Sequence, residues 1–218
     1  MARPRQALLS RERIIETATA LIDADGLAAF STRRLATELG VRGPSLYNHF
    51  ATKDELLDGV ADAIIGLVDT SFFGRHDWRV AVQLWGRSYR DALREHPHIV
   101  PFLAQGPGRR PAALAMADAV YGGLVDAGWP PARATHIGAL MRYLVIGSAL
   151  GSFAQGFVGD PELYAQRYPH LGQAHLLVEH QKSVDEGAFT LGLTALIAGL
   201  SEEYERIIGP LPALPEPR

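Results

Sequence analysis

Between Ser31 and Pro44 the sequence stops one helix and starts another across a three-residue turn, and no other feature narrows its possible folds so far. Ser31 is a natural N-cap, its side-chain oxygen suited to accept an N–H of the first turn. Leu35 and Leu39 follow on one face, and Gly40 stops the helix. After Gly40-Val41-Arg42 the next helix opens with Pro44, whose fixed φ and missing N–H suit a first helical position. That helix is very short, because Thr52-Lys53-Asp54-Glu55 already forms a capping box for its successor. Two helices joined by a short glycine-containing turn have the helix-turn-helix geometry, in which the second helix enters the DNA major groove. Leu46 and Phe50 lie four apart and anchor the second helix. Ser45, Tyr47, Asn48 and His49 are then left to present short or rigid hydrogen-bonding groups to base edges and phosphates. Taken alone, the pattern fits the solvated face of an ordinary helical hairpin equally well.

The rest of the chain predicts an all-α protein, with helical punctuation throughout and almost no β-alternation. A first helix runs from about Ser10 to Asp25, with Ser10 as cap, Glu12 in its first turn and Gly26 as stop. Its apolar face is Ile14, Ala18, Leu21 and Ile22. The helix begun at Thr52 continues to roughly Asp69. Further helices are expected at about Asp77–His96, His98–Gln105, Arg110–Gly128, Pro131–Phe157 and Glu186–Ile208. Between Val158 and Val184 the pattern is lost and a long loop is expected, with room for a short helix around Gly172–Gln181. The divisions expected are a helix-turn-helix domain over 1–55, a helical body over 56–209, which the family resemblance set out below implies is a ligand-binding and dimerisation domain, and a disordered proline-rich tail over 210–218. Net charge is −3, yet residues 1–53 hold eight Lys or Arg against five Asp or Glu, so the head is basic and the remainder acidic. The absence of cysteine removes disulfides and fits a cytoplasmic location. The N-terminus lacks the apolar run of a signal peptide. The most apolar stretch, Leu140 to Val158, is too interrupted by polar residues and glycines for a membrane span.

Phe30–Val60 resembles the DNA-binding signature of the TetR, or tetracycline-repressor, family. The family pattern has Thr and a basic residue opening the second helix, then L-A-x-x-L-G-V, then x-P-[ST]-[LI]-Y-x-[HY]-[FV]-x-x-K-x-x-L. This chain matches at Thr32, Arg33, Leu35, Ala36, Leu39, Gly40, Val41, Pro44, Ser45, Leu46, Tyr47, His49, Phe50, Lys53 and Leu56. The resemblance implies that Thr32 and Arg33 contact phosphate and a guanine edge, and that Arg42, Gly43 and Ser45 face the major groove beside Pro44. It further implies that Tyr47 and His49 touch phosphate and thymine methyls, and that Lys53 clamps another phosphate. Gly43 stands where some members carry a base-reading Gln, so specificity shifts toward Arg33, Arg42 and Asn48. Arg3 and Arg5 are an arm that either adds DNA contacts or is an ordinary tail.

The resemblance also implies a homodimer on a palindromic operator, with half-sites about one DNA turn apart. The last helix offers the seam: an apolar stripe of Phe189, Leu193, Leu196, Leu200 and Tyr204 beside a small-residue ridge of Ala188, Gly192, Ala195 and Gly199. An intramolecular core helix is the competing reading. A small-molecule effector would sit among Trp85, Tyr89, His98, Phe102, Met116, Tyr121, His136, Leu140, Tyr143 and Phe189, though core packing accounts for each of these as well. In tetracycline-binding members a His near the end of helix four and an Asn-x-x-x-Phe pair hold drug and magnesium. The corresponding positions here are Asp69, Trp85 and Tyr89, so an apolar or aromatic effector is expected in place of tetracycline, with no metal and no cofactor. Ligand would act by a population shift transmitted through the helix that carries Lys53. On the same fold an activator or a ligand-independent repressor is the alternative, and a helical-bundle enzyme is the alternative from another class. Against catalysis, the eight histidines lack metal-binding spacing, and there is no Cys nucleophile, G-x-S-x-G elbow or phosphate loop.

Overall fold

A computed structural model describes residues 9–106 and 110–209. The Arg3 and Arg5 arm and the 210–218 tail lie outside the described residues, which contain ten α-helices and no strand. The helices are α1 (Arg11–Asp25), α2 (Thr32–Glu38), α3 (Gly43–Tyr47), α4 (Lys53–Ile65), α5 (Trp78–Glu95), α6 (Val100–Ala104), α7 (Pro111–Asp126), α8 (Pro131–Ala149), α9 (Pro161–Arg167) and α10 (Gln181–Ile208). They gather into two compact units, Met1–Val68 with Asp91–Met116, and Asp69–Arg90 with Ala117–Arg218. The unit that holds the helix-turn-helix thus takes in the end of α5, α6 and the start of α7, well past the boundary expected at residue 55.

In the first unit, local signals build each element. Ser10 Oγ accepts the Arg13 N–H at 3.2 Å, and Ser31 Oγ accepts that of Arg34 at 3.3 Å. Gly26 and Gly40 stop α1 and α2 at φ +81° and +68°, a region that a side chain would strain. Ile14, Ala18 and Ile22 of α1 are buried together with Leu35, Leu39, Leu46 and Phe50. Each large apolar side chain among them contributes roughly 1.5–3 kcal/mol by leaving water. The capping box forms with a shifted reach. Thr52 Oγ1 accepts the Glu55 N–H at 3.0 Å, but Glu55 Oε2 accepts the Ala51 N–H at 2.7 Å rather than that of Thr52. α4 ends at Ile65, short of the expected Asp69. At Gly66, a poor helix former, the turn tightens: the N–H groups of Leu67 and Val68 bond Ile64 O and Ile65 O.

The second unit is built on close aromatic and glycine contacts. Trp78, Trp129 and Tyr204 cluster with Trp129 centred 5.1 Å from each of the others, and Tyr204 Oη donates to Ala127 O at 2.6 Å. A Cβ at Gly86 would lie 2.5 Å from Met141 Cε, so α5 and α8 touch where that glycine stands. α8 ends at Ala149 rather than Phe157, because Ser152 caps a separate 3-10 turn over Phe153–Gly156. The expected loop holds α9: Asp160 Oδ1 accepts the N–H groups of Glu162 and Leu163 at 3.0 and 3.2 Å, and Pro161 fills the first helical position. Instead of a helix over 172–181 there is a 3-10 turn at Ala174–Leu176, and α10 starts at Gln181 rather than Glu186. By length and composition α10 is apolar enough to cross a membrane, but it packs on α8 and buries Phe189, Leu193 and Tyr204 within its own unit.

Candidate functional site

The helix-turn-helix face is defined by what the head leaves outside its core. Leu46 and Phe50 are 2% exposed, whereas Tyr47 between them is 52% exposed. Its ring and hydroxyl are therefore accessible to a partner. Arg33, Arg42, Pro44 and Asn48 are exposed as well, and Thr32, Gly43, Ser45 and His49 are half-buried. The arginines of the head divide into two sets. Arg34 pairs with Asp25 at 2.5 Å and Arg11 with Glu55 at 3.3 Å. Among the described residues Arg33 and Arg42 form no salt bridge, so their guanidinium groups are free for phosphate or for the paired acceptors of a guanine edge. A Cβ on Gly43 would meet nothing within 4 Å. Space around the fold therefore does not demand glycine there, and its bare backbone is free to approach a partner closely.

Lys53 has a second attachment that its motif position did not reveal. Its Nζ donates to Phe30 O at 3.0 Å and lies over the Phe30 ring. The ammonium therefore bridges the start of α4 to the residue just ahead of the α2 cap, with further donors left for phosphate. Arg11 was missed altogether by sequence reasoning. Its Nη1 donates to His49 O at 2.6 Å, and the guanidinium lies 4.0 Å from the Phe50 ring centre. These partners are about forty positions away, so no local signal announces the contact. The Glu55 carboxyl is held below the ordinary glutamate range, first by the Ala51 N–H and then by Arg11.

The ten effector candidates do not come together as one set. Trp85, Tyr89 and Phe189 are buried in the second unit. Trp85 stacks on Tyr89 with centroids 6.2 Å apart and meets the Phe73 ring edge-on at 6.0 Å. Its buried indole Nε1 has no hydrogen-bond partner among the described residues. The guanidinium of buried Arg90 lies 4.3 Å from the Phe189 ring centre and donates to Glu186 at 2.5 Å. On α8, His136, Leu140 and Tyr143 face out, Tyr143 at 67% exposure, so they belong to a surface and not to an enclosed pocket. Tyr121 is also partly exposed and packs over Gly138. His98, Phe102 and Met116 belong to the first unit. There His98 Nδ1–H donates to the Ile22 and Asp23 carbonyls at the end of α1, and Phe102 lies under Arg110, so both side chains serve packing within the head. An open surface cleft of about 660 Å³ in the second unit is lined by Tyr143, Ser148, Phe153, Asp185, Ala188 and Phe189 among others. Phe153 and Asp185 carry no motif and were not anticipated. No cluster of His, Asp or Glu among the described residues has the arrangement of a metal site.

The expected dimer seam divides. Phe189, Leu193 and Tyr204 turn inward as core, because they lie on the face of α10 that the unit needs for itself. Leu196 and Leu200 are half-buried. Of the ridge, Ala188, Ala195 and Gly199 are exposed, and Gly192 sits against Leu144 of α8, where a Cβ would come within 3.3 Å. Leu191, outside the expected seam, is 72% exposed.

Residues 14–60 match the sequence pattern described as "Bacterial regulatory proteins, tetR family", and residues 73–204 match the one described as "Tetracyclin repressor-like, C-terminal domain". The chain is 34% identical over 204 residues to the tetracycline repressor protein class C of Escherichia coli, covering 89% of this chain and 91% of that protein. It is 35% identical over 141 residues to an HTH-type transcriptional regulator of Saccharopolyspora erythraea, a match spanning 65% of this chain and 60% of the regulator's length. Among solved structures it is similar to the Streptomyces coelicolor TetR family protein ActR in complex with actinorhodin. That similarity has a TM-score of 0.73 and 30% identity, over 90% of this chain and 99% of that one.

Proposed function

This chain belongs to the TetR family of bacterial regulatory proteins, and from that premise we propose that it is a repressor released from its operator by a small aromatic effector. The family makes it a DNA-binding transcription regulator and not an enzyme. The observation that carries the finer reading is that Arg33 and Arg42, exposed and without an ion pair among the described residues, share the head with exposed Tyr47. In the proposal Arg33, Arg42 and Asn48 read base edges, while Thr32, Ser45, Tyr47, His49 and Lys53 hold phosphates, and Gly43 and Pro44 let the backbone come close.

One short recognition helix reads too few bases for a specific site, so the operator is a palindrome bound by a homodimer in the cytoplasm. The outward residues of α8 and α10, with Leu140, Tyr143, Ala188, Leu191, Ala195 and Gly199, are its seam. Phe189, Leu193 and Gly192 support that face from within. For the effector, the unpartnered Trp85 N–H and the adjoining Tyr89 ring offer one donor on an aromatic wall, which suits a planar compound carrying a hydrogen-bond acceptor. ActR, with its actinorhodin complex, supports a ligand-responsive reading. Effector binding shifts the dimer toward a form whose recognition helices miss successive major grooves; such couplings are typically about 5–150-fold.

The test is a gel shift with the DNA flanking the protein's own gene, followed by titration with actinorhodin and minocycline under tryptophan fluorescence. Retarded DNA that actinorhodin releases supports the reading, and release by minocycline, a tetracycline, alone contradicts the proposed effector class. A protein that retards no flanking DNA contradicts the reading as a whole.

A further inference from the structure

Among the described residues of the second unit, Arg90 is the one buried charged side chain, at 2% exposure. A charge taken out of water is costly unless it is paired and hydrogen-bonded. Arg90 is paired, but incompletely. Its Nη1 donates to Glu186 Oε2 at 2.5 Å and its Nη2 to the Asp185 carbonyl at 3.0 Å. Its Cζ lies 4.3 Å from the centre of the Phe189 ring. The remaining donor, Nε, is buried with no hydrogen-bond partner among the described residues. The side edge of a guanidinium, Nε with one Nη, matches the two oxygens of a carboxylate. Half of that edge is idle here.

The ion pair is also lopsided. Arg90 is sealed, whereas the Glu186 side chain is 46% exposed and stands 3.7 Å from half-exposed Arg87 as well. A buried guanidinium must keep a counter-charge, because removing it leaves an uncompensated charge in the core. Another carboxylate can serve, and Glu186 has water on one side and a second cation to turn to. The way in is the open cleft beside α8 and α10. Asp185 and Phe189, which line it, are the two residues that Arg90 holds from beneath. Tyr143 and Phe153 stand over the same cleft with their rings in water, and exposed rings offer stacking surface to a planar body.

We propose that Arg90 is the recognition group for a planar aromatic carboxylate, which enters by this cleft and takes the guanidinium from Glu186. The two oxygens of the ligand occupy Nε and one Nη, its ring lies along the cleft against Phe153, and Glu186 turns to Arg87. Only ion-pair partners are exchanged, so the charge balance of the core is kept throughout. Glu186 is an internal stand-in that holds the site until the ligand arrives. The inference rests on the proposed effector-responsive reading and gives that effector its charge. Tyr143 and Ala188, on the rim of the cleft, belong to the proposed seam, so an occupant lies beside the second copy.

The experiment is isothermal titration calorimetry of the full-length protein with benzoate, naphthoate and anthracene carboxylate, each against its carboxamide, which has nearly the same shape without the charge. At least one carboxylate is expected to bind about tenfold more tightly than its amide. Glu186→Gln removes the competing charge and spares the fold, because that side chain is half in water. It should tighten carboxylate binding by about fivefold and leave amide binding unchanged, a split that a merely structural ion pair would not produce. Arg90→Gln should erase the preference for the charged member; if it fails to fold, Glu186→Gln carries the test alone. Equal binding of acid and amide, no binding of any of the three acids, a preference that survives Arg90→Gln, or carboxylate binding not tightened by Glu186→Gln overturns the inference. The proposed function is decided separately, by whether actinorhodin releases the retarded DNA.

Discussion

The two units of this chain hold their shape by different means. The head is assembled from short-range signals: Ser10, Ser31 and Thr52 cap helices three residues away, and Gly26 and Gly40 end them in the left-handed region. The second unit depends on contacts between residues far apart in the chain, such as Trp78 with Trp129 and Tyr204, Arg90 with Glu186, and Gly86 with Met141. A surface that must match invariant DNA geometry is built where local chemistry leaves little choice. The region proposed to meet an effector and a second copy is built from packing, which many sequences satisfy.

The sharpest way to break the comparison is to cut the core of the head. Leu46→Ala removes a buried anchor of α3, and such truncations destabilise by about 2–5 kcal/mol. Helicity should then fall in an early step that tryptophan fluorescence does not follow, since all three tryptophans lie in the second unit. Loss of both signals in one shared transition contradicts the division. Arg42→Ala should weaken operator binding by about 1–3 kcal/mol, roughly ten- to a hundredfold, without altering the melting temperature. Lys53→Met should do both in smaller measure, because its ammonium also holds Phe30 O; a pure binding loss would show that bridge to be idle.

How much of this was legible follows the same division. The caps, the turn, the buried pair Leu46 and Phe50 and the outward Tyr47 all come from spacing over three or four residues, and each is where its pattern places it. Arg11 and Arg90 were opaque, because the partners that give them meaning are distant in sequence. The stripe on α10 was legible as apolar but not as to its direction. Periodicity shows that Phe189 and Leu193 share a face, but only the packing of α10 on α8 shows that the face looks inward. His98 misled for a related reason: an imidazole beside apolar residues reads as a ligand anchor until the carbonyls of Ile22 and Asp23 are seen to hold it. Helix α9 was missed although Asp160-Pro161-Glu162 carries a cap, a first-turn proline and a first-turn acid; the glycines and prolines around it hid the signal.

Smaller effects test the local half of the comparison. Thr52→Ala should cost about 1 kcal/mol through the lost cap; an unchanged melting temperature contradicts it. Acid titration adds a direction. Glu55 has its folded-state pKa depressed, so its contribution is present above the ordinary glutamate range and fades as pH falls through the lower folded value. Asp69 and Glu203 in the second unit are lowered too, Asp69 first by the Ser71 N–H and Glu203 first by Arg206. Glu55→Gln should therefore flatten the acid limb of the head's melting curve and leave that of the body unchanged.

The central claim is that exposed Arg33 and Arg42, without an ion pair among the described residues, make this head a sequence reader together with Tyr47. It is tested most directly by anisotropy titration of a duplex selected from random DNA, with wild type and Arg33→Ala/Arg42→Ala side by side. The account predicts enrichment of a palindrome that the wild type binds at least about tenfold more tightly than the double variant does. Equal binding by the two proteins, or no enrichment at all, would contradict it.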